Sequence, residues 1–530
     1  MYSGYRWHLI RRAGVLGTGL LLLAAFTATA GDLTIGVSQT FKDLDPRRSD
    51  SVYDYYIINS VFDSLIFLHP DTLEPSPWVA ASWEIVDTDR LRFHLHKGIR
   101  FHNGEELTAD DVAFTLNWIA DPENGSPNQT ELIWMQESVV VDEFTVDVLT
   151  KPDYAPFAPG IASLRQPIVP KDTVTDEKTA NFSLHPIGSG PYRFVEWRAG
   201  EYVHLERNDT YWLRSPNLDN VYYRTIQELS VMMFELESGG IDIADNMPAS
   251  DVERFQEMPH VDVRQVGSLS YFHLYFNTQS PISQDIRFRK AVYLSMDWDE
   301  AVHSIFRGLT GFRAYGCIPP GMWASDREYL AEHVALQEDD DAAIKLFEEL
   351  ISDGVLSKDT LIRIHTPIDP RRRQLATIVA TNLLENDVQA EVVPLEWGPL
   401  LDLGYRTDAD PVGDFEMMIL GWAGGADPYY FIYFLFHSDN AKVGSSSNMS
   451  WFRDPEVDRL IFEGSTTLDL GEREAKYVAA QRAIFANYVS IPGYHYIETR
   501  GVNVRVHGFR PSPVAEMWLC SPFHNVWVDE

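Results

Sequence analysis

The feature that most constrains the fold is a strand–helix–strand pattern in residues 360–395. Leu361–His365 is typical of a buried strand, and Pro367 and Pro370 end it. A helix is predicted over Arg372–Leu384 and a second strand over Ala390–Pro394. Two strands that are joined through a helix run in parallel. The pattern therefore predicts an α/β fold, and alternating strands elsewhere in the chain predict mixed sheets.

The first thirty residues have the pattern of a secretory signal. A basic start precedes an apolar stretch, Ala13–Phe26, and the small residues Ala28–Ala30 would allow cleavage before Gly31. The apolar stretch is shorter than the roughly 20 residues of a membrane span. No Cys follows it, which argues against a lipid anchor. We expect a soluble periplasmic protein, and Arg11-Arg12 leaves both the general and the twin-arginine export route open.

Composition excludes some classes of function. The chain has 45% hydrophobic and 23% charged residues, which predicts large cores and no extensive disorder. Its net charge of −35 repels nucleic acid, so no nucleic-acid partner is expected. The acidic surface is compatible with a saline habitat or with ordinary solubility. The two cysteines, Cys317 and Cys520, are either buried thiols or a pair.

Common catalytic signatures are absent from the sequence. His-Glu-x-x-His, Gly-Lys, Ser-x-x-Lys and Gly-x-Ser-x-Gly do not occur. His94 and His96 share one face of a predicted strand, and an exposed face explains them better than a metal site. We therefore expect no enzyme, no metal and no cofactor. The many acidic residues leave an exported, carboxylate-dependent hydrolase as an alternative.

Four stretches, in order, carry a resemblance to a known family. They are Trp78–Glu84 with Phe93–Val112, Gly188–Phe194 with Glu206–Trp212, Phe276–Gln279 with Asp285–Val292, and Asp414–Met418 with Gly421, Trp422, Asp427 and Pro428. Together they resemble the family 5 solute-binding proteins of ABC importers, which include dipeptide, oligopeptide and nickel receptors. The resemblance covers nearly the whole chain after the signal.

The resemblance implies a two-lobed clamp, of the class II type of periplasmic binding proteins, with an additional domain. The first lobe would be discontinuous and comprise residues 31–55, 188–275 and 489–530. The additional domain would comprise residues 56–187, and the second lobe residues 276–488. The chain would then cross between the lobes near residues 275 and 488.

The resemblance also implies ligand contacts in the second lobe. Trp422 and Trp397 fall where the family often lines its pocket, although either can be a core residue. Peptide receptors of the family place an Asp shortly after the residue that matches Trp422, and this Asp holds the ligand's ammonium group. Gly425 stands at that position here, and Asp427 matches either a ligand contact or a later structural Asp. This difference puts zwitterionic peptides in question.

Two further contacts follow from the same resemblance. Arg373 aligns best with a carboxylate-binding Arg of dipeptide receptors, and the alternative is a surface salt bridge. Tyr53 lies in a segment that can reach the cleft, and the alternative is buried packing. These residues, with Trp422, Trp397, Asp427 and Gly425, form the predicted ligand site.

The predicted function is that of the substrate-binding component of an ABC importer. The protein would capture a peptide or a similar medium-sized solute between its lobes and deliver it to a membrane permease. We expect the protein to be a monomer. Oligosaccharides, opine-like conjugates and metal chelates are alternative ligands in the same fold. A sensor partner or a periplasmic chaperone is a third possibility.

Overall fold

The computed structural model describes residues 31–152, 154, 166–174, 181–407, 410, 412–514 and 516–529. The predicted secretory signal lies outside these residues, as does part of the predicted additional domain. Across the described residues, no helix combines the length and the apolar character that a membrane crossing needs.

The described residues form strands β1 to β20. Their bounds are Gly31–Val37, Ile66–Leu68, Pro75–Pro77, Ala80–Asp87, Arg90–Leu95, Met135–Asp142, Thr145–Thr150, Tyr192–Arg198, Tyr202–Arg207, Leu218–Thr225, Ile243–Ala244, Val261–Gly267, Ser270–Phe276, Gly311–Arg313, Ile362–Pro367, Ala390–Leu395, Met417–Ala423, Ser490–Asn503, Val506–His507 and Trp527–Val528.

The same residues form helices α1 to α13. Their bounds are Val52–Val61, Ala109–Ala120, Leu229–Ser238, Ala249–Gln256, Ile286–Leu294, Trp298–Phe306, Arg327–His333, Asp340–Ser352, Pro370–Glu385, Trp397–Tyr405, Tyr429–Phe436, Pro455–Thr466 and Leu470–Ala486. Short 3₁₀ turns occupy Pro122–Asn124, Gln129–Leu132 and Ser438–Asn440.

The predicted strand–helix–strand unit is confirmed. β15 and β16 pair in parallel, with Ile362 opposite Ala390, and α9 connects them. Asp369 caps α9 by accepting a hydrogen bond from the backbone N–H of Arg372 at 3.0 Å, and Pro370 occupies the first helical turn. The unit therefore begins and ends where its turn residues predict.

One 12-stranded sheet runs through the molecule, and β18 joins its two halves. We call β1, β8–β12 and residues 497–503 of β18 the first half, and β13–β17 and residues 490–496 the second half. The sequence predicts two separate strands in the region of β18, near Tyr494 and Val502. They are one continuous strand, because each part finds an antiparallel partner along its length.

The chain passes between the halves at two places. β12 ends at Gly267 and β13 begins at Ser270, so residues 268–269 form the first connection. The second connection lies inside β18, between Tyr496 and Ile497. The sequence predicts crossings near 275 and 488, some residues away from these changes of strand pairing.

Each half of the sheet has its own hydrophobic core. Ile35, Tyr223 and Val502 belong to the first core, whereas Leu274 and Ile491 belong to the second. β18 thus contributes a buried side chain to both cores. Burial of a large aliphatic side chain is worth about 1.5–3 kcal/mol, so both halves are stabilised through this strand.

Residues 64–152 contain a separate four-stranded antiparallel sheet of order β4-β5-β7-β6. Helix α2 packs on it and begins with a capping box, in which the backbone N–H of Thr108 donates to the Asp111 carboxylate at 2.9 Å. The edge strands β4 and β6 are mostly exposed.

A fully buried aspartate, Asp63, connects this region to the first half of the sheet. Its carboxylate accepts hydrogen bonds from the Ser189 hydroxyl at 2.9 Å, the Tyr211 hydroxyl at 2.8 Å and the Trp212 indole N–H at 3.0 Å. Burial raises the pKa of Asp63 to about 6, and the hydrogen bonds only partly oppose this rise.

Cys317 and Cys520 are both buried free thiols, which decides between the two alternatives that the sequence left open. Burial raises the pKa of Cys520 to about 12 and raises that of Cys317 as well, so both sulfurs stay protonated.

Candidate functional site

A cavity of about 320 Å³ lies where the two halves of the sheet meet. The connection at residues 268–269 and the midpoint of β18, Tyr496 and Glu498, form one side of it. The end of β17 and the following loop, residues 422–426, form another side with Tyr430 and Phe434 of α11. Leu68 and residues 127–131 close it from the four-stranded region, together with Val52 and the C-terminal residues 513, 514 and 516.

Trp422 and Gly425, two of the predicted ligand contacts, both line this cavity. The Trp422 ring stacks on Phe434, with 5.6 Å between centroids and 28° between planes. Its indole N–H is buried and has no hydrogen-bond partner among the described residues.

The loop after Trp422 has little room for side chains. A Cβ at Gly424 would lie 2.8 Å from the Phe431 ring, and one at Gly425 would lie 3.1 Å from the Tyr430 ring. The rings of α11 therefore occupy the space beside these two glycines, and the loop presents its backbone. The Tyr430 hydroxyl donates to the backbone carbonyl of Glu131 at 2.9 Å, which holds residues 127–131 against the cavity.

Asp427 lies behind this loop and is not among the lining residues. It is fully buried, and its two oxygens lie 3.0 and 2.9 Å from two guanidinium nitrogens of Arg473 on α13. It also accepts a hydrogen bond from the backbone N–H of Tyr429 at 2.9 Å. This geometry anchors the start of α11, and through it the wall of the cavity.

Tyr53 lies on α1 next to the lining residue Val52. Its hydroxyl is 3.5 Å from the Ser38 hydroxyl, which donates to Asp245 at 3.0 Å. Burial raises the pKa of Tyr53, and it raises the pKa of Asp245 to about 6 although Arg500 partly opposes this. Tyr53 therefore belongs to a polar network immediately behind the cavity wall.

Trp397 and Arg373 are not among the lining residues. Trp397 begins α10 and is 49% exposed, and Arg373 is exposed on α9. Of the two neighbouring arginines, only Arg371 contacts a lining residue within the described part of the chain. The Arg372 guanidinium lies 4.9 Å from the Phe272 ring and 5.9 Å from the Trp397 ring, and that of Arg371 lies 4.6 Å from the ring of the lining residue Tyr496.

The cavity wall carries three carboxylates that the sequence did not single out. Glu131, Glu498 and Glu516 come from separate parts of the chain, and the set of described lining residues includes no Lys, Arg or His. Glu498 lies 3.1 Å from the Arg500 guanidinium behind the wall, and Glu516 accepts a hydrogen bond from the Asn59 side-chain amide. No local motif connects these residues, so only the tertiary fold reveals them.

The described residues contain no group of three or more His, Cys, Asp or Glu side chains that could hold a metal ion. His94 lies 3.5 Å from the exposed Glu84. His102 is bonded to the Gly190 carbonyl at 3.0 Å, and burial lowers the pKa of His102 to about 4.

Known proteins resemble this chain over nearly its full length. The dipeptide-binding protein of Escherichia coli K12 is 25% identical over 553 aligned positions, which cover 98% of this chain and 99% of the relative. The solved structure of the ABC transporter substrate-binding protein CtaP from Listeria monocytogenes matches with a TM-score of 0.81 and 23% identity, covering 95% of this chain and 100% of that one. The oligopeptide-binding protein AppA from Bacillus subtilis, solved with a nonapeptide, matches with a TM-score of 0.77 and 22% identity, covering 95% and 100%.

These structural matches confirm the predicted fold class, a two-lobed clamp with mixed α/β sheets. The family model described as "bacterial extracellular solute-binding proteins, family 5 Middle" matches residues 74–443. That range is well over half of the chain and includes most of the four stretches that carry the resemblance. The chain therefore belongs to the family 5 bacterial extracellular solute-binding proteins.

Proposed function

We propose that this protein captures a short peptide, or a solute of similar size and polarity, and delivers it to the permease of an ABC importer. The observation that carries the proposal is the position of the cavity. It lies at the two connections between the halves of the sheet, and both halves and the four-stranded region line it. A ligand there contacts both halves of the sheet and the four-stranded region.

Binding and closure are then one coupled equilibrium. Rotation of the halves about residues 268–269 and the midpoint of β18 opens or closes the cavity, as hinges at element ends do in other clamps. A ligand that contacts both halves favours the closed state by its difference in affinity for the two states. Residues 31–55, 188–275 and 489–530 as the first lobe, and 276–488 as the second, remain our proposed division.

The charges around the cavity suit a ligand with both signs of charge. Arg371 and Arg372 lie beside Tyr496, Phe272 and Trp397, and the Arg372 Nε is buried without a hydrogen-bond partner among the described residues. A guanidinium fits a carboxylate with two parallel hydrogen bonds. The glutamates of the cavity wall suit an ammonium group. We therefore retain Trp422 and Gly425 as contacts and propose Arg372 beside Trp397 for the ligand carboxylate, with Arg373, Tyr53 and Asp427 in supporting positions.

The proposal is tested by identifying what the exported protein carries. Mature protein is isolated from the periplasm, its ligand is released by unfolding, and mass spectrometry identifies the released compound. We expect a short peptide. An oligosaccharide, an opine-like conjugate or a metal chelate would replace the ligand class and leave the fold's role intact.

The refolded, ligand-free protein then separates a receptor from a hydrolase. Added peptide should raise the melting temperature and be recovered unchanged. Chemical conversion of the peptide, lost on substitution of a cavity glutamate, would contradict the proposal and support the hydrolase alternative. Size-exclusion chromatography tests the expected monomer, and stimulation of ATP hydrolysis by the reconstituted permease tests delivery.

A further inference from the structure

A second cavity lies between the four-stranded region and the start of α13, and we call it the crevice. Its volume is about 1210 Å³, whereas the cavity between the halves of the sheet has about 320 Å³. Residues 72–75, β4 and β5 form one side of the crevice, and side chains from residues 320–328 and 467–474 form the other. Ligand pockets typically enclose about 300–1,000 Å³. The cavity is thus small for a ligand site, and the crevice adds room for several more side chains.

Two tryptophans from different parts of the chain line the crevice. Trp83 belongs to β4, and its ring lies 6.2 Å from the ring of the buried Phe93. The Trp323 ring stacks on Tyr477 with 5.8 Å between centroids, and the Arg473 guanidinium lies 4.9 Å from it. Both indole rings are therefore held by neighbouring side chains. An aromatic or aliphatic group of a ligand gains contact area on such rings at little cost in ordering.

The crevice also contains aliphatic side chains that are exposed to water. Leu470 is 68% exposed and Ile85 is 52% exposed, and they line the crevice from different regions of the chain. The carboxylate of Asp326, which also lines it, is paired with Arg482 at 2.6 Å. An apolar ligand group would remove Leu470 and Ile85 from water, and this burial favours binding. The crevice therefore suits an apolar occupant.

The crevice and the cavity meet at the loop after Trp422. Ala426 lines both spaces. The hairpin of β2 and β3 lies along the same boundary, since Leu68 lines the cavity, Leu73 lines the crevice, and both residues line one small space of about 20 Å³. A ligand that extends from the cavity past Ala426 thus reaches the crevice.

We propose that the crevice is an extension of the ligand site, and that it binds large apolar side chains of a peptide whose other end occupies the cavity. This inference rests on the proposed function and specifies its ligand, a peptide longer than the cavity alone can hold. The aromatic or large aliphatic side chains of the extension contact Trp323, Ile85 and Leu470. A polar extension gains no such contacts and binds like a short peptide.

The test measures dissociation constants of the refolded mature protein by calorimetry for Ala-Ala-Ala and for the hexapeptides Ala-Ala-Ala-Phe-Phe-Phe and Ala-Ala-Ala-Ser-Ser-Ser. The reversed hexapeptides are measured as well, since either end of a peptide can occupy the cavity. We expect the Phe hexapeptide, in one of its two orientations, to bind at least tenfold more tightly than Ala-Ala-Ala. The Ser hexapeptides should bind within threefold of Ala-Ala-Ala.

Substitutions in the crevice assign the gain to its lining. Leu470→Ser and Ile85→Ser should each weaken binding of the Phe hexapeptide at least threefold and leave the affinity for Ala-Ala-Ala unaltered, because neither residue lines the cavity. Both side chains are more than half exposed, so we expect both variants to fold, and thermal melting checks this. Leu384→Ser is the matched control, because Leu384 is 46% exposed on α9 outside the crevice, and it should change neither affinity.

The outcomes separate this inference from the proposed function. Equal affinities for the Phe hexapeptides and Ala-Ala-Ala, equal tightening by the Ser hexapeptides, or an unaltered preference in both crevice variants overturns the extension and leaves peptide binding standing. Two bound peptides per protein would assign the crevice to a separate ligand and would also overturn it. Failure of every peptide to bind overturns both this inference and the proposed function.

Discussion

Two buried aspartates in this protein have different kinds of partner, one a cation and the other a set of neutral hydrogen-bond donors. Asp427 holds the loop of the cavity through the guanidinium of Arg473. Asp63 connects the four-stranded region to the first half by accepting hydrogen bonds from two separate hydroxyls and from an indole N–H. Both carboxylates are fully buried. The two carboxylates therefore differ in the charge of their partners and not in burial, and we expect them to respond differently to mutation.

The difference has a physical origin. A guanidinium compensates a carboxylate charge in a low-dielectric interior, so removing it leaves a buried charge alone. Neutral donors stabilise the charged form only in part, so the carboxyl takes up a proton more readily. The cavity wall is thus held by an interaction that needs Arg473. At Asp63 the hydrogen bonds favour the charged carboxylate, and protonation relieves the larger cost of burying that charge.

The largest expected effect is that of Arg473→Met. The substitution leaves Asp427 buried without its cation, which typically costs about 3–5 kcal/mol of unfolding free energy. Urea unfolding should show this loss, and ligand affinity should fall because the loop at residues 424–426 is no longer anchored. Arg459→Met serves as a matched control, since Arg459 lies on the surface of α12 beside Glu456 and Glu463. An equally small change in both variants would show that the Asp427 pair does not stabilise the fold.

A smaller effect is expected from pH at Asp63. Its pKa is about 6 in the folded protein and 3.8 as the reference value, so the folded state binds more protons between these values. The contribution of Asp63 to stability therefore falls as pH rises from 4 to 7, by up to about 3 kcal/mol. Asp63→Asn removes this dependence, so the stability difference should shift in favour of the variant over that range.

Urea unfolding of wild type and Asp63→Asn at pH 4, 5, 6 and 7 measures this shift. Asp71→Asn is the control in the same region, because the Asp71 side chain is 69% exposed. A constant difference between wild type and Asp63→Asn across the series would mean that burial does not raise the pKa of Asp63.

The smallest of the three effects is the loss of ligand affinity that we expect from Trp422→Ala, a substitution directly before the loop that Asp427 anchors. Trp422→Ala removes a ring that lines the cavity and stacks on Phe434. We expect at least tenfold weaker binding, or about 1.4 kcal/mol, with a near-native circular dichroism spectrum. Phe234→Ala is the control, because Phe234 is 67% exposed and lies outside the lining. Native affinity in a folded Trp422→Ala protein would remove Trp422 from the site.

Much of the fold was predictable because its signals are local. The strand–helix–strand unit at residues 362–395 and the capping box at Thr108 follow from spacing and turn residues. The continuity of β18 was not predictable, since it depends on partners far away in the sequence. Local patterns indicate strands, but tertiary pairing decides whether two short strands are one.

Sequence patterns indicated candidate site residues only where these residues lie close together in the sequence. Trp422 and Gly425 come from one loop, and both line the cavity. The glutamates at 131, 498 and 516 have nothing in common in sequence, and the pairing of Asp427 with Arg473 joins the loop to another helix. The prediction names Arg373, which is exposed, whereas its neighbour Arg372 contacts Phe272. The position of each residue around the helix decides which of the two faces inward, and the sequence alone does not give that position.

The shared strand β18 also has a consequence for how the molecule is made. Strands β11, β12, β13 and β14 all pair with a strand that is synthesised after them. A nascent chain that stops short of residue 490 leaves those edges open, and neither lobe can complete its centre on its own. The sheet can therefore be completed only when the last part of the polypeptide is available.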